Sequence, residues 1–445
     1  MILLFLGCVD GWGVYLKEYD YGDPDTAGTA ESAESIAGTD SDSVDSDTEV
    51  VDTTVDTVET ADTKETHETA ETGDTGEVIE TPDVWVDCNG GGDFRTITEA
   101  IASSLSGTKI GLLPCTYAED VNFDGKTLNI FGMKGAEQTI VRGTGAGPVV
   151  TAIRGEGLGT RLAGVTVTGG GRGYGSAVYM VGTILELDGV VMTDNSAADA
   201  MIYGIGVSLT MTDVALRDNR GGSGGSVIYL DDGSLVAERL DVECGSVAYG
   251  IYEHNVTLML NSTVDCASAS YGIVVSGGEV QLRQTAVRAA LTALYAEDNA
   301  DTRNERVWLY NAILVGGDNG VQAQYMHVRA DNNVMWGGSN GLEMTGCHDE
   351  SEIYDSALIG GSCGIRGDSN SYTLGWNAIG TGRTCRVTTF ADVTGDPLFV
   401  DAPNDFHLGA GSPLIDAGNP DADREDGDGS RNDVGAYGGP EGSGW

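Results

Sequence analysis

Between residues 162 and 379, short apolar rungs return about every 22 to 25 residues, the period of a solenoid in which each unit is one coil. Leu185, Leu209, Leu235, Leu258, Val280, Val307, Val328, Ile353 and Leu374 open the rungs, each with a second residue two positions on that points the same way. Alternation of period 2 inside a period near 23 describes one strand per coil. Coils stacked this way pair their backbone groups with the coils above and below.

A second register checks the first. A Val/Ile-plus-aromatic strand recurs at Val178, Ile202, Ile228, Ile251, Ile273, Leu294, Val321, Leu342 and Ile365. A third short strand follows each rung, at Val190, Val214, Leu240, Val264, Val287, Ile313, Val334 and Leu358. Three strands per coil predict an all-β, single-stranded parallel β-helix of about 12 coils. The 67 glycines and 7% aromatic content suit many tight turns joining short strands. Asn195, Asn219, Asn299, Asn319 and Asn332 fall at turns, where Asn tolerates the left-handed region.

The net charge of −46 excludes nucleic acid as a partner, because the phosphate backbone would be repelled. The acid is concentrated. Residues 20–83 hold 21 Asp or Glu against the single base Lys64. The low-complexity Thr-Asp and Thr-Glu pairs of residues 9–83 offer too little apolar surface to fold, which predicts a disordered acidic linker. No apolar run is long enough for a transmembrane helix. Residues 1–8 form a short apolar start ending in Gly7-Cys8 that resembles a truncated bacterial lipoprotein signal. That resemblance implies lipidation of Cys8 and a tether to the outer membrane or surface of a Gram-negative cell.

Cysteine spacing agrees with export. Cys244 with Cys266, and Cys363 with Cys385, are each 22 residues apart, or one coil, which brings them within disulfide reach on adjacent rungs. Cys88 with Cys115 would then bridge the N-terminal cap, leaving Cys347 over, and such bonds imply an oxidising compartment.

Order is expected from Val84. Phe94, Ile97, Ile101 and Leu105 line one face of a helix, with Thr96 and Glu99 as a capping box. Asp93, Phe94, Thr96, Ile97, Ala100 and Ile101, followed by Pro114, Tyr117 and Glu119, resemble the start of bacterial pectin-lyase-like β-helix proteins. Cys115 stands where that pattern has glycine. The resemblance implies a right-handed helix whose first end is plugged by the short α-helix. Segments 395–400, 405–408, 411–418 and 433–437 resemble the closing part of the choice-of-anchor Q type, so residues 84–394 are read as the β-helix and 395–445 as a closing segment.

The chemistry is less marked. No complete esterase, polygalacturonase or lyase motif is present. Asp231-Asp232 is the nearest approach to paired carboxylates, in a turn with no accompanying Gly-His-Gly. The five histidines show no metal-ligand spacing. Arg283 and Arg288, with Arg303 and Arg306 near the next coil, are the basic cluster that a polysaccharide-active enzyme would use to neutralise a uronate. Met259, Gln281, Trp308, Arg329 and Tyr354 follow the rung openers and are expected to point outward. Among them Trp308, Arg329 and Tyr354 form a candidate strip for stacking on sugar rings. Asp421, Asp423, Asp426 and Asp428 gather oxygen ligands between glycines as calcium loops do, with Asp426 where an EF-hand requires glycine. The sequence thus points to a surface-tethered β-helix that binds a glycan or a cell-surface protein without catalysis. A polysaccharide lyase or hydrolase is the alternative.

Overall fold

In the computed structural model, residues 80–171, 173–298, 305–369 and 371–442 are described. Cys8, the linker as far as residue 79, Asn299 and Arg303 lie outside them. The described chain is a parallel β-solenoid of about 13 turns, consistent with the expected fold class. One run of paired strands carries the rungs and a second carries the Val/Ile-plus-aromatic strands. The third forms a separate sheet of 12 strands.

The second register is present as read. Val178, Ile202, Ile228, Ile251, Ile273, Leu294, Val321, Leu342 and Ile365 are successive partners, all buried. The rung register slips twice. Asp232 is the unpaired residue of a bulge between Asp231 and Gly233, so Leu235 pairs with Thr257 and not with Leu258. A one-residue slip reverses which face a side chain takes. Met259, expected outside, is therefore buried, and Leu258 faces outward. Further along, Ile353 pairs with Ala330 and not with Val328, a shift of two residues that keeps the face but changes the row.

The third register departs for another reason. Leu314 and Met335 fill the core beside Val287, whereas Ile313 and Val334 point outward. They stay dry because residues 395–442 fold back along the side of the last coils. Ile313, Val334, Ala357 and Ala378 pack against Phe406, Leu414, Val434 and Ala436 as a second apolar core. A column of left-handed corner residues fastens this segment. Asn311 Nδ2 donates to the carbonyls of Ala436 and Gly438 at 2.9 and 2.8 Å, and Asn332 Nδ2 donates to Asn432 Oδ1 at 2.8 Å. Below Asn332, Asp355 is buried and accepts from Arg424 at 3.0 Å.

Of the asparagines expected in the left-handed region, Asn332 adopts it. Asn195, Asn219 and Asn319 are instead buried and bonded from coil to coil, as where Asn219 Oδ1 accepts from the Asn195 backbone at 3.0 Å. Asp194, Asp213 and Asp218 take positive φ at neighbouring turns.

The capping helix spans Ile97–Ser103, with Thr96 accepting from the Glu99 amide at 3.1 Å. Glu119 completes the cap by accepting from the Ile97 and Thr98 amides, each at 2.9 Å, which satisfies donors that have no partner within the helix. Leu105 lies beyond the helix and is 82% exposed, so the buried face is Ile97, Ala100 and Ile101. The folded body also starts earlier than Val84. Glu80, placed in the linker by composition, pairs with Arg161 at 3.0 Å and Lys109 at 3.2 Å. The three expected disulfides are present and Cys347 is free and buried.

Candidate functional site

The outward positions of the second register carry a row of tyrosines. Tyr179, Tyr203, Tyr229 and Tyr252 each follow a buried Val or Ile and are register partners on successive coils. The inward residue is β-branched and the outward one aromatic, a pattern that suits a pleated, half-buried strand. Coil spacing brings the rings into contact. Tyr203 and Tyr229 stack at 5.0 Å, Tyr229 and Tyr252 at 5.6 Å, with 17° between planes in both pairs. Val274 interrupts the row, and the contacts step sideways through Tyr249 and Tyr271, stacked at 5.6 Å, to Tyr295. Tyr174, 58% exposed, caps the near end with its ring edge-on to Tyr203 at 5.0 Å.

Two residues further along each strand lies a polar row. It holds Asp231, His254, Ser276 and Glu297 on four successive coils. His254 Nδ1 stands 3.2 Å from Asp231 Oδ1, off the direction of a good hydrogen bond. The His254 ring also meets Tyr252 edge-on at 5.1 Å. Glu297 accepts from Tyr295 Oη at 2.6 Å and from Ser276 Oγ at 3.1 Å. Burial, followed by nearby carboxylates and phenols, raises the hydroxyls of Tyr203, Tyr229, Tyr252 and Tyr295 above the ordinary tyrosine value. They stand as neutral phenols, each with one donor and an acceptor oxygen. Directly beneath, Glu253 points into the core, where burial pushes its carboxyl up to about 8.

The residues expected to form a binding strip do not make one. Trp308 and Arg329 are partners in one outward row, but the next member of that row is Glu352. Tyr354 lies one row over, opposite Asp331, because of the two-residue slip. Arg329 is half-buried between Asp331 and Glu352, at 3.3 and 3.7 Å. Tyr354 is covered by Arg424, whose guanidinium carbon is 4.9 Å from the ring centroid. The arginines of the enzymatic alternative are likewise engaged by the C-terminal segment. Arg283 pairs with Glu441 at 3.3 Å, and Arg288 donates to the Asn404 carbonyl at 3.3 Å.

The calcium candidates also bond locally. Asp426 accepts from the amides of Asp433 and Gly439, and Asp428 accepts from the Ser430 amide and hydroxyl. Asp421 precedes the short 3-10 turn Ala422–Arg424, which contains Asp423. Among the described residues, no group of three or more His, Cys, Asp or Glu is placed to hold a metal ion.

Sequence reading missed the tyrosine row although its signal was present. A Val/Ile-Tyr dipeptide recurs at 178–179, 202–203, 228–229 and 251–252. The pairing of Asp231 with His254 follows from the same register, since each lies three residues after the inward Ile228 or Ile251.

No family model and no curated protein sequence matches the chain. Among solved structures, it is similar to the A-module of the mannuronan C-5 epimerase AlgE6 of Azotobacter vinelandii, at 14% identity over 67% of this chain and 93% of that one, with a TM-score of 0.41. It is also similar to the pectate lyase Pel9A, at 14% identity over 76% and 90%, TM-score 0.34. A pectin methylesterase from carrot matches at 13% identity over 72% and 91%, TM-score 0.24.

Proposed function

We propose that this protein binds a chain-like glycan along the tyrosine face. One observation carries the reading: an almost unbroken aromatic row on successive coils that no other described segment covers. Ring edges and the exposed Tyr174 meet the apolar patches of sugar rings, while the row of phenol oxygens meets their hydroxyls. Stacked neighbours hold the rings in place before binding, which lowers the ordering cost. Affinity electrophoresis and calorimetry of the full chain against a polysaccharide panel test the reading. Tyr203→Ala with Tyr229→Ala is expected to weaken binding at least about tenfold; unchanged affinity ends it.

The second reading is a polysaccharide-active enzyme, and the observation favouring it is His254 beside Asp231 on this same face. An imidazole beside a carboxylate is a proton donor or acceptor within reach of whatever the tyrosines hold. New reducing or unsaturated ends in the same incubations, lost in His254→Ala, would establish it.

The proposed setting is the cell surface, with the chain tethered by a lipid on Cys8 and the acidic linker as spacer. Three disulfides support an oxidising compartment. Cys8→Ala is expected to release the protein from the membrane fraction.

A further inference from the structure

The two lateral faces that carry tyrosines differ in the charges beside them. On the rung face, Tyr310 and Tyr354 stand among Arg283, Arg329 and Arg424 as well as acids. On the open tyrosine face, among the described residues, the charged groups acting on Tyr203, Tyr229, Tyr252 and Tyr295 are carboxylates alone, Asp199, Asp231 and Glu297. Glu297 accepts from two neutral hydroxyls and Asp231 lies beside an imidazole, and among the described residues neither carboxylate pairs with Lys or Arg. Each keeps acceptor capacity beyond the bonds it makes. Asp231 and Glu297 are three coils apart, roughly 14 Å, in a line parallel to the tyrosine row.

A glycan lying on the tyrosines therefore meets a surface rich in acceptors and negative in charge. A uronate chain would place carboxylates against carboxylates. A neutral chain would satisfy the phenols and leave the charge unused. We infer that the ligand is a hexosamine polymer with unacetylated amino groups, whose ammonium groups pair with Asp231 and Glu297 while its rings lie along the tyrosines. The inference rests on the tyrosine face being the glycan site, and it adds the charge of the ligand.

The test is calorimetry of the full chain with hexamers of glucosamine, N-acetylglucosamine and galacturonate, at low and high ionic strength. The glucosamine hexamer is expected to bind about tenfold more tightly than its acetylated counterpart at low salt, the effect of two partly exposed ion pairs. High salt should erase most of that advantage. Asp231→Asn with Glu297→Gln, which keep shape, should erase the difference between the two hexamers at low salt. Equal affinity for the first two hexamers, or tighter binding of galacturonate, overturns the inference while leaving the tyrosine face as a glycan site. Binding that survives Tyr203→Ala with Tyr229→Ala instead removes the underlying reading. Thermal unfolding of each variant separates either result from loss of fold.

Discussion

Two lateral faces of this solenoid carry outward apolar side chains, and they meet different fates. The third sheet exposes Ile313, Val334, Trp336 and Ile359 on its outer side, and residues 395–442 fold back to cover them with Phe406, Leu414 and Val434. The second-register face carries Tyr179, Tyr203, Tyr229 and Tyr252, whose rings pack against one another and against Tyr174, Tyr249 and His254. The residue types fit the difference. Aliphatic side chains have no polar atom to offer water and need a cover, whereas tyrosine has an apolar body with a polar tip and tolerates a half-wet position. Outward apolar residues on a solenoid are thus of two kinds: seats for the chain's own segments, and surfaces left for a ligand.

Removing the cover should produce the largest effect. Phe406→Ala, at the centre of the second core and 2% exposed, is expected to cost about 3 to 4 kcal/mol in urea unfolding. A loss below about 1 kcal/mol would mean the cover is not structural. In a coil just before the covered stretch, Cys244 and Cys266 close a disulfide against the main core. Replacing both cysteines with serine should cost about 2 to 3 kcal/mol, and reducing agent should leave that variant's remaining bonds as the only sensitive ones.

Glu253 tests the ground beneath the open face. With a carboxyl raised to about 8, the folded chain holds a proton that the unfolded chain releases near 4.5. Stability is therefore greatest below pH 4.5 as far as this group is concerned, and it falls as pH rises toward 8. Glu253→Gln should flatten that slope and stabilise the protein by about 2 kcal/mol at pH 8, read from denaturant midpoints. A destabilised variant would show that the carboxylate is needed in the core. The smallest effect on stability is expected at the face itself. Tyr229→Ala should cost about 1 kcal/mol or less while weakening glycan binding several-fold, the reverse of the pattern at Phe406. Equal damage to stability and binding would make the two faces alike.

How legible all this was varies with the kind of feature. The second register could be read along its whole length, because each coil places a Val, Ile or Leu at one inward position and no bulge disturbs it. The rung register was readable only until Asp232, where one unpaired residue reverses Leu258 and Met259. The proposed strip failed at Tyr354 for a related reason: rows are defined by pairing across coils, and a two-residue slip moves a side chain roughly 6.6 Å along the strand. Ile313 and Val334 misled because an apolar residue in a strand looks the same whether it faces the core or a covering segment.

By itself, the sequence determined that this chain is a stacked parallel solenoid, where its capping helix begins, and that two pairs of cysteines lie one coil apart. Those features depend on local alternation and on separations of about one coil, which the order of residues carries directly. Only the tertiary structure decided which side chains meet. The bulge at Asp232 turns Met259 inward and Leu258 outward, and the return of residues 395–442 closes one apolar face and leaves the tyrosines open. Both outcomes turn on single-residue register and on contacts between positions up to 157 apart, which period and composition do not encode.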